Sequence, residues 1–196
     1  MKSDTNAKLA VFSDSHGQTG LMERAFAKIS KHISAAVHLG DNAADAFVLA
    51  RACALTPFYL VSGNCDPFRA RALINNKDNR DIQDELVFEI SGVKLFITHG
   101  HRYSVKRGYD GLMAKAASLG ARVCMFGHTH EPELFRHNGC LFVNPGSISL
   151  PRGGLGPSYA ILDIYGPGAG ADIAEASVEA SIIERVNGVF RILCSL

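Results

Sequence analysis

The sequence predicts an α/β protein, a four-layer α/β/β/α sandwich of two mixed β-sheets flanked by helices, on three observations. Apolar runs of strand length recur at residues 9–12, 36–39, 58–61, 93–98 and 123–126. Stretches with helical spacing, at 21–33 and 43–54, separate the first three of them. After Asp84 the runs come in pairs joined by turn residues, which points to a second sheet. Periodicity alone also accommodates one mixed sheet.

The first runs are continuously apolar rather than alternating, as expected of strands buried on both faces of a parallel sheet. With the helical stretches between them they form consecutive βαβ units. Further on, residues 86–90 turn at Ser91-Gly92 into 93–98, and 134–135 turn near Asn138-Gly139 into 141–143. Residues 109–119 are the helix among these strands. Residues 158–164 read as another strand, the Gly/Pro-rich 166–170 as a turn, and 174–183 and 189–193 as closing strands. A chain of 196 residues can bury one substantial core unaided, so a single domain, 1–196, is expected.

Composition excludes several classes. With 47% hydrophobic and 20% charged residues, neither a disordered nor a membrane chain is expected. No apolar run approaches the ~18 to 20 residues that a membrane helix needs. Residues 1–8 are polar and lack the apolar stretch of a signal peptide, so export is not expected. The five cysteines are scattered and include no Cys-x-x-Cys pair, which argues against a disulfide framework or a thiolate zinc site and fits a reducing cytoplasm. A formal net charge of +1 creates no general field for nucleic acid or an anionic membrane, so any attraction for phosphate must be local. Homo-oligomerisation stays open.

Polar residues interrupt this pattern at five places, each where an apolar strand ends: Asp14-Ser15-His16, Gly40-Asp41-Asn42, Gly63-Asn64-Cys65-Asp66, His99-Gly100-His101 and Gly127-His128-Thr129-His130. Each cluster alone is an ordinary turn sequence. Together they matter, because the carboxyl ends of parallel strands share one rim where distant segments converge. Carboxylate, carboxamide and imidazole groups on one rim make an oxygen and nitrogen site for hard or borderline divalent metals, the type used in hydrolysis.

In this order the five clusters resemble the calcineurin-like metallophosphoesterases, over residues 9–152, and the cysteine of Gly63-Asn64-Cys65-Asp66 is similar to the small bacterial and archaeal phosphodiesterases among them. The resemblance implies two divalent ions. One would be held by Asp14, His16, Asp41 and His130, the other by Asp41, Asn64, His99 and His128, with Asp41 bridging. Manganese is the first expectation; nickel, iron or zinc also suit the donors. A small phosphoester would be hydrolysed by in-line attack of metal-bound water or hydroxide, without a phosphoenzyme. Beyond the ligands, the resemblance lets His101 face the phosphate. It puts Cys65 where related enzymes carry a proton-donating histidine, and Arg152, behind Asn144-Pro145-Gly146-Ser147, within reach of phosphate oxygens.

Other readings compete. A non-catalytic metal-binding scaffold of the same fold, like the retromer subunit, would be expected to have lost some of these donors, and none is missing. A mononuclear iron oxygenase needs only two histidines and one carboxylate, and leaves Asn64 and His99 unexplained. Among the remaining histidines, His32 and His137 read as surface residues, and His38 as a buried, hydrogen-bonded neighbour of the site. Arg102, Lys106 and Arg107 read as a solvated charged face, and 153–156 as a turn rather than a phosphate loop.

Overall fold

In the computed structural model, residues 7–53, 55–67, 71–72, 80–166 and 176–196 are described. Strand β1 (Ala7–Phe12) leads through helix α1 (Thr19–Ile29) to β2 (Ala35–His38), and β2 through helix α2 (Ala46–Ala52) to β3 (Phe58–Leu60). These three strands are parallel, as the βαβ pattern requires. Both helices are shorter than their apolar spacing predicts. Helix α1 gives way to a 3-10 turn at Ser30–His32, because Ser34 N–H must already bond the Lys8 carbonyl at 2.7 Å to align β2 with β1. Before α2, the left-handed Asn42 (φ 70°) opens a 3-10 turn over Ala43–Asp45.

Two short strands with no sequence signal follow, β4 (Arg71–Ala72) and β5 (Arg80–Asp81). The hairpin of β6 (Glu85–Ile90) and β7 (Val93–Thr98) comes next, then helix α3 (Asp110–Leu119) and β8 (Val123–Met125). A second hairpin, β9 (Pro132–His137) and β10 (Cys140–Pro145), precedes β11 (Ser158–Tyr165), β12 (Ser177–Val186) and β13 (Val189–Ser195). Residues 167–170 of the turn expected at 166–170, and the start of the strand expected at 174, lie outside the described residues.

The strands form a six-stranded sheet, β13-β12-β11-β1-β2-β3, and a five-stranded sheet, β6-β7-β8-β10-β9. Both are mixed, with β1, β2 and β3 parallel in the first and β7, β8 and β10 parallel in the second. Strand alternation assigns the layers. Leu9, Val11 and Val37 meet Leu95, Ile97, Val123, Met125, Leu141 and Val143 in a core between the sheets. Ala10 and Phe12 point the other way, onto Met22, Ala25 and Phe26 of α1 and Leu49 of α2. Phe96, Cys124 and Phe142 likewise turn outward onto Leu112 and Ala116 of α3. Each central strand is therefore buried on both faces, which is why its sequence does not alternate. The result is the four-layer sandwich. No described helix is long and apolar enough to cross a membrane.

Candidate metal centre

Strands β1, β2 and β3 of one sheet and β7 and β8 of the other all end at the same rim, and every polar cluster follows one of these ends. The loops there turn sharply. Asp14, His16, Asp41, His128 and His130 all lie in the left-handed region, at φ 54°, 47°, 56°, 70° and 65°. Non-glycine residues seldom adopt it, and each such residue costs about 1–3 kcal/mol unless its surroundings over-determine it. Two glycines permit the crowding. A Cβ on Gly63 would strike the Asp41 carboxylate, and one on Gly127 would strike Ser13 and Asp14.

The side chains converge in two groups that share Asp41: Asp14, His16, Asp41 and His130, and Asp41, His99 and His128. In the first, His130 Nε2 lies 3.2 Å from Asp14 Oδ1 and 3.3 Å from His16 Nε2, and His16 Nε2 lies 3.6 Å from Asp41 Oδ2. In the second, His99 Nε2 is 3.3 Å from Asp41 Oδ1, and the His99 and His128 rings are 5.1 Å apart.

Surrounding groups fix these donors. His99 Nδ1–H donates to the Leu39 carbonyl and His130 Nδ1–H to that of Leu150, each at 2.7 Å. A carbonyl only accepts, so in the neutral ring Nε2 presents its lone pair to the cluster. Asp14 Oδ2 accepts from Ser13 Oγ (2.5 Å) and His128 N–H (3.1 Å), and its backbone carbonyl accepts from Ser147 and Ser149. Asp41 Oδ1 accepts from Cys65 N–H at 2.8 Å. Yet Asp14 Oδ1 and His99 Nε2 are buried without any hydrogen-bond partner. Two orphaned donors facing one cluster are what a missing cation would satisfy, and oxygen with imidazole nitrogen suits a divalent ion.

Electrostatics agree. Burial opposes the charged form of Asp14, but the neighbouring His130 and His99 rings and the hydrogen bond from Ser13 outweigh it and hold the carboxyl below its usual range. Asp41 is depressed in the same way, burial being overcome chiefly by His99. His99 is pushed up despite burial, by Asp41 and Asp14, and His130 is raised chiefly by the nearby Asp14 carboxylate. His128 is instead driven down to about 4 by burial and by the charges of His99 and Lys106.

The remaining candidates stand around this cluster. Asn64 and His101 line a cleft of about 470 Å³ together with Ser62, Gln83, Asp84 and Arg102. The His101 ring lies tilted 5.4 Å from that of His99, and its Nδ1 is buried without a partner. Cys65 is exposed, accepts a hydrogen bond from Asn64 Nδ2 at 3.3 Å, and has its thiol pushed up to about 11 by burial and by Asp41. Arg152 is also exposed; its N–H bonds the His130 carbonyl at 3.1 Å, and its charge acts on the His130 ring. Arg102 is held by Asp84 at 2.6 Å on the cleft wall, rather than lying on a purely solvated face. Sequence reasoning gave Asp66 no role, yet its two oxygens accept from Ala43 and Gly63 N–H and tie the β3 loop to the β2 loop. Asn144 was seen only as part of a motif, and its Nδ2 bridges the Gly127 carbonyl and Thr129 Oγ1. Both stand in motif runs, which was the available signal.

Two sheets thus meet at a carboxylate and imidazole cluster whose donors could hold metal ions. The profile of the calcineurin-like phosphoesterase superfamily domain matches residues 8–166, and the chain belongs to that superfamily. It is 36% identical over 154 residues to the probable metallophosphoesterase YsnB of Bacillus subtilis, covering 79% of this chain and 82% of that one. It is 34% identical over 103 residues to the phosphodiesterase YfcE of Escherichia coli, covering 53% of this chain and only 50% of the relative's length. Among solved structures, Vacuolar Protein Sorting 29 from Cryptosporidium parvum shares the fold, with a TM-score of 0.77 at 20% identity over 98% of this chain and 99% of that one.

Proposed function

We propose that the chain acts as a single-domain phosphodiesterase with two divalent ions, one on Asp14, His16, Asp41 and His130 and one on Asp41, Asn64, His99 and His128. The observation that carries this reading is the pair of ligand groups sharing Asp41, with Asp14 Oδ1 and His99 Nε2 orphaned inside them. Manganese is the expected activator, nickel, iron or zinc being the alternatives the donors allow. Ions bound there would lower the pKa of water and neutralise charge developing on phosphoryl oxygens.

The chain's own residues do the rest. Asp41 supplies both groups, and Leu39 and Leu150 keep the imidazole lone pairs aimed inward. His101 stands between the cluster and the cleft, where it can contact a phosphoryl oxygen, while Arg152 adds positive charge beside His130. The cleft has room for the second ester arm of a diester. Cys65 stays protonated at neutral pH and donates weakly, so esters with good leaving groups should react best. The names of YsnB and YfcE support the phosphoesterase class, and five free cysteines are consistent with a reducing cytoplasm.

The test combines metal analysis with an ester series. Reconstituted protein should hold two ions per chain and cleave aryl phosphodiesters faster than the matching monoesters. Asp41→Ala should lose both ions and activity by at least about 10²-fold, since it removes the shared ligand. A ceiling of one ion, or Asp41→Ala with full metal content, would sink the two-ion reading. Bound metal with no turnover on any ester would favour the metal-binding scaffold instead.

A further inference from the structure

Behind the metal cluster, Ser15 and His38 are almost completely buried and Asp45 lies beside them, and none of the three belongs to either ligand group. We propose that Asp45, Ser15 and His38 are positioning residues, a hydrogen-bonded relay that locks the loops carrying Asp14, His16 and Asp41 and so sets metal affinity at the Asp14, His16, Asp41 and His130 group. The proposal rests on the two-ion reading above.

The direction of each bond follows from its ends. Gly40 N–H donates to His38 Nδ1 at 3.3 Å, so that nitrogen is the acceptor and the neutral ring carries its proton on Nε2. His38 Nε2–H then donates to Ser15 Oγ at 3.0 Å. The hydroxyl donates its own hydrogen bond to Asp45 Oδ2 at 2.7 Å, which is shorter than the distance to its other acceptor, the Asn42 carbonyl, at 3.4 Å. The same Asp45 oxygen accepts from Gly17 N–H at 2.8 Å.

One chain of bonds thus runs from the Gly40-Asp41 loop through strand β2 to the residue between Asp14 and His16, and closes on both sides of His16. Those three candidate ligands hold left-handed backbone, at 54°, 47° and 56°, which relaxes unless something holds it. Asp14 is also held from its other side by Ser147 and Ser149. Among the described residues, His16 N–H donates only to the Asp41 carbonyl, at 3.4 Å, and its ring meets only other members of the cluster, so its support comes from a loop that the relay itself holds. Loss of the relay should therefore be felt most through His16.

The experiment measures binding rather than turnover. Cobalt or manganese is titrated calorimetrically into metal-free wild type, Asp45→Ala, Asp45→Asn and Ser15→Ala, with His16→Ala and His128→Ala as references for weakening of one group or the other. Asp45→Ala should weaken one of the two binding steps about 10- to 100-fold, the range for groups that orient metal ligands. Its pattern should copy His16→Ala and not His128→Ala. Asp45→Asn keeps an oxygen acceptor and should restore near wild-type binding, which a merely structural role would not predict. Should Asp45→Ala fail to fold, Ser15→Ala reports the same loss. Two ions bound by wild type with both steps unchanged or equally weakened in these variants, or Asp45→Asn as damaging as Asp45→Ala, overturns the relay alone. Wild type that binds no ion overturns the two-ion reading and the relay with it.

Discussion

Neighbouring histidines are driven in opposite directions by their surroundings. His38, buried at the end of β2, is pushed down to about 4, burial outweighing the attraction of Asp14, Asp66 and Asp45. It folds neutral. Unfolded, it would take up a proton near pH 6.5, so stability is lost as pH falls from about 6.5 to about 4, by about 3 kcal/mol in full. His99 and His130 have the opposite sign: their raised values favour the folded, metal-free protein at pH below about 6.5, and that contribution disappears as pH rises through them. Asp14 and Asp41, held below the usual range, contribute stability above about pH 4 that is lost in more acid solution. Urea unfolding of metal-free protein should show a slope between pH 4 and 6.5 to which His128, also driven down to about 4, contributes with the same sign; His38→Gln should reduce that slope by its own share and leave the acid limb below it in place. An unchanged slope in that variant would mean that the imidazole is not kept neutral by burial.

Among the elements, those buried on two faces were the most legible. Residues 93–98 were read as a strand and are β7, because Val93, Leu95 and Ile97 fill the central core while Phe96 packs under α3. Helix ends were less so, since the turns at Ser30–His32 and Ala43–Asp45 depend on where β2 must begin and on one left-handed residue. Strands β4 and β5, two residues each, carry no apolar pattern to read. The gathering of five clusters on one rim was legible from strand order. Which atoms meet there was not, because that depends on left-handed turns at polar residues and on carbonyls such as those of Leu39 and Leu150. Helix α3 tests the separation of scaffold from site. Leu112 is fully buried beneath it, so Leu112→Ala should cost about 2–5 kcal/mol in denaturant unfolding. Metal stoichiometry at 25 °C should be unchanged, since α3 carries no ligand; loss of metal would show that the rim depends on this layer.

For the whole molecule, the decisive fact is that the two ligand groups draw on both sheets. Asp14, His16 and Asp41 follow β1 and β2, whereas His99, His128 and His130 follow β7 and β8. An ion held at the shared carboxylate, as proposed above, would therefore fasten one layer to the other as well as serve chemistry. Because only the folded chain assembles the donors, each ion at 100 times its dissociation constant should add about 2.7 kcal/mol. Thermal scans should show a concentration-dependent rise in Tm with manganese, larger than that with magnesium, which prefers more oxygen donors. Equal shifts with both ions would argue against imidazole ligation. His99→Ala and His16→Ala should each remove part of the rise.

Strand β1 carries the first of the ligand loops, yet it sits inside the larger sheet, parallel to β2 on one side and antiparallel to β11 on the other. A ribosome makes β1 some 150 residues before its second neighbour, so that flank has nothing to pair with during most of translation. Its bare amides and carbonyls would offer an edge to other nascent chains until Ser158–Tyr165 emerges. The same delay applies to the rim, whose last histidine is His130. Cation capture would thus wait until residue 130 has been made, and a product stalled before it should not hold the ions proposed above.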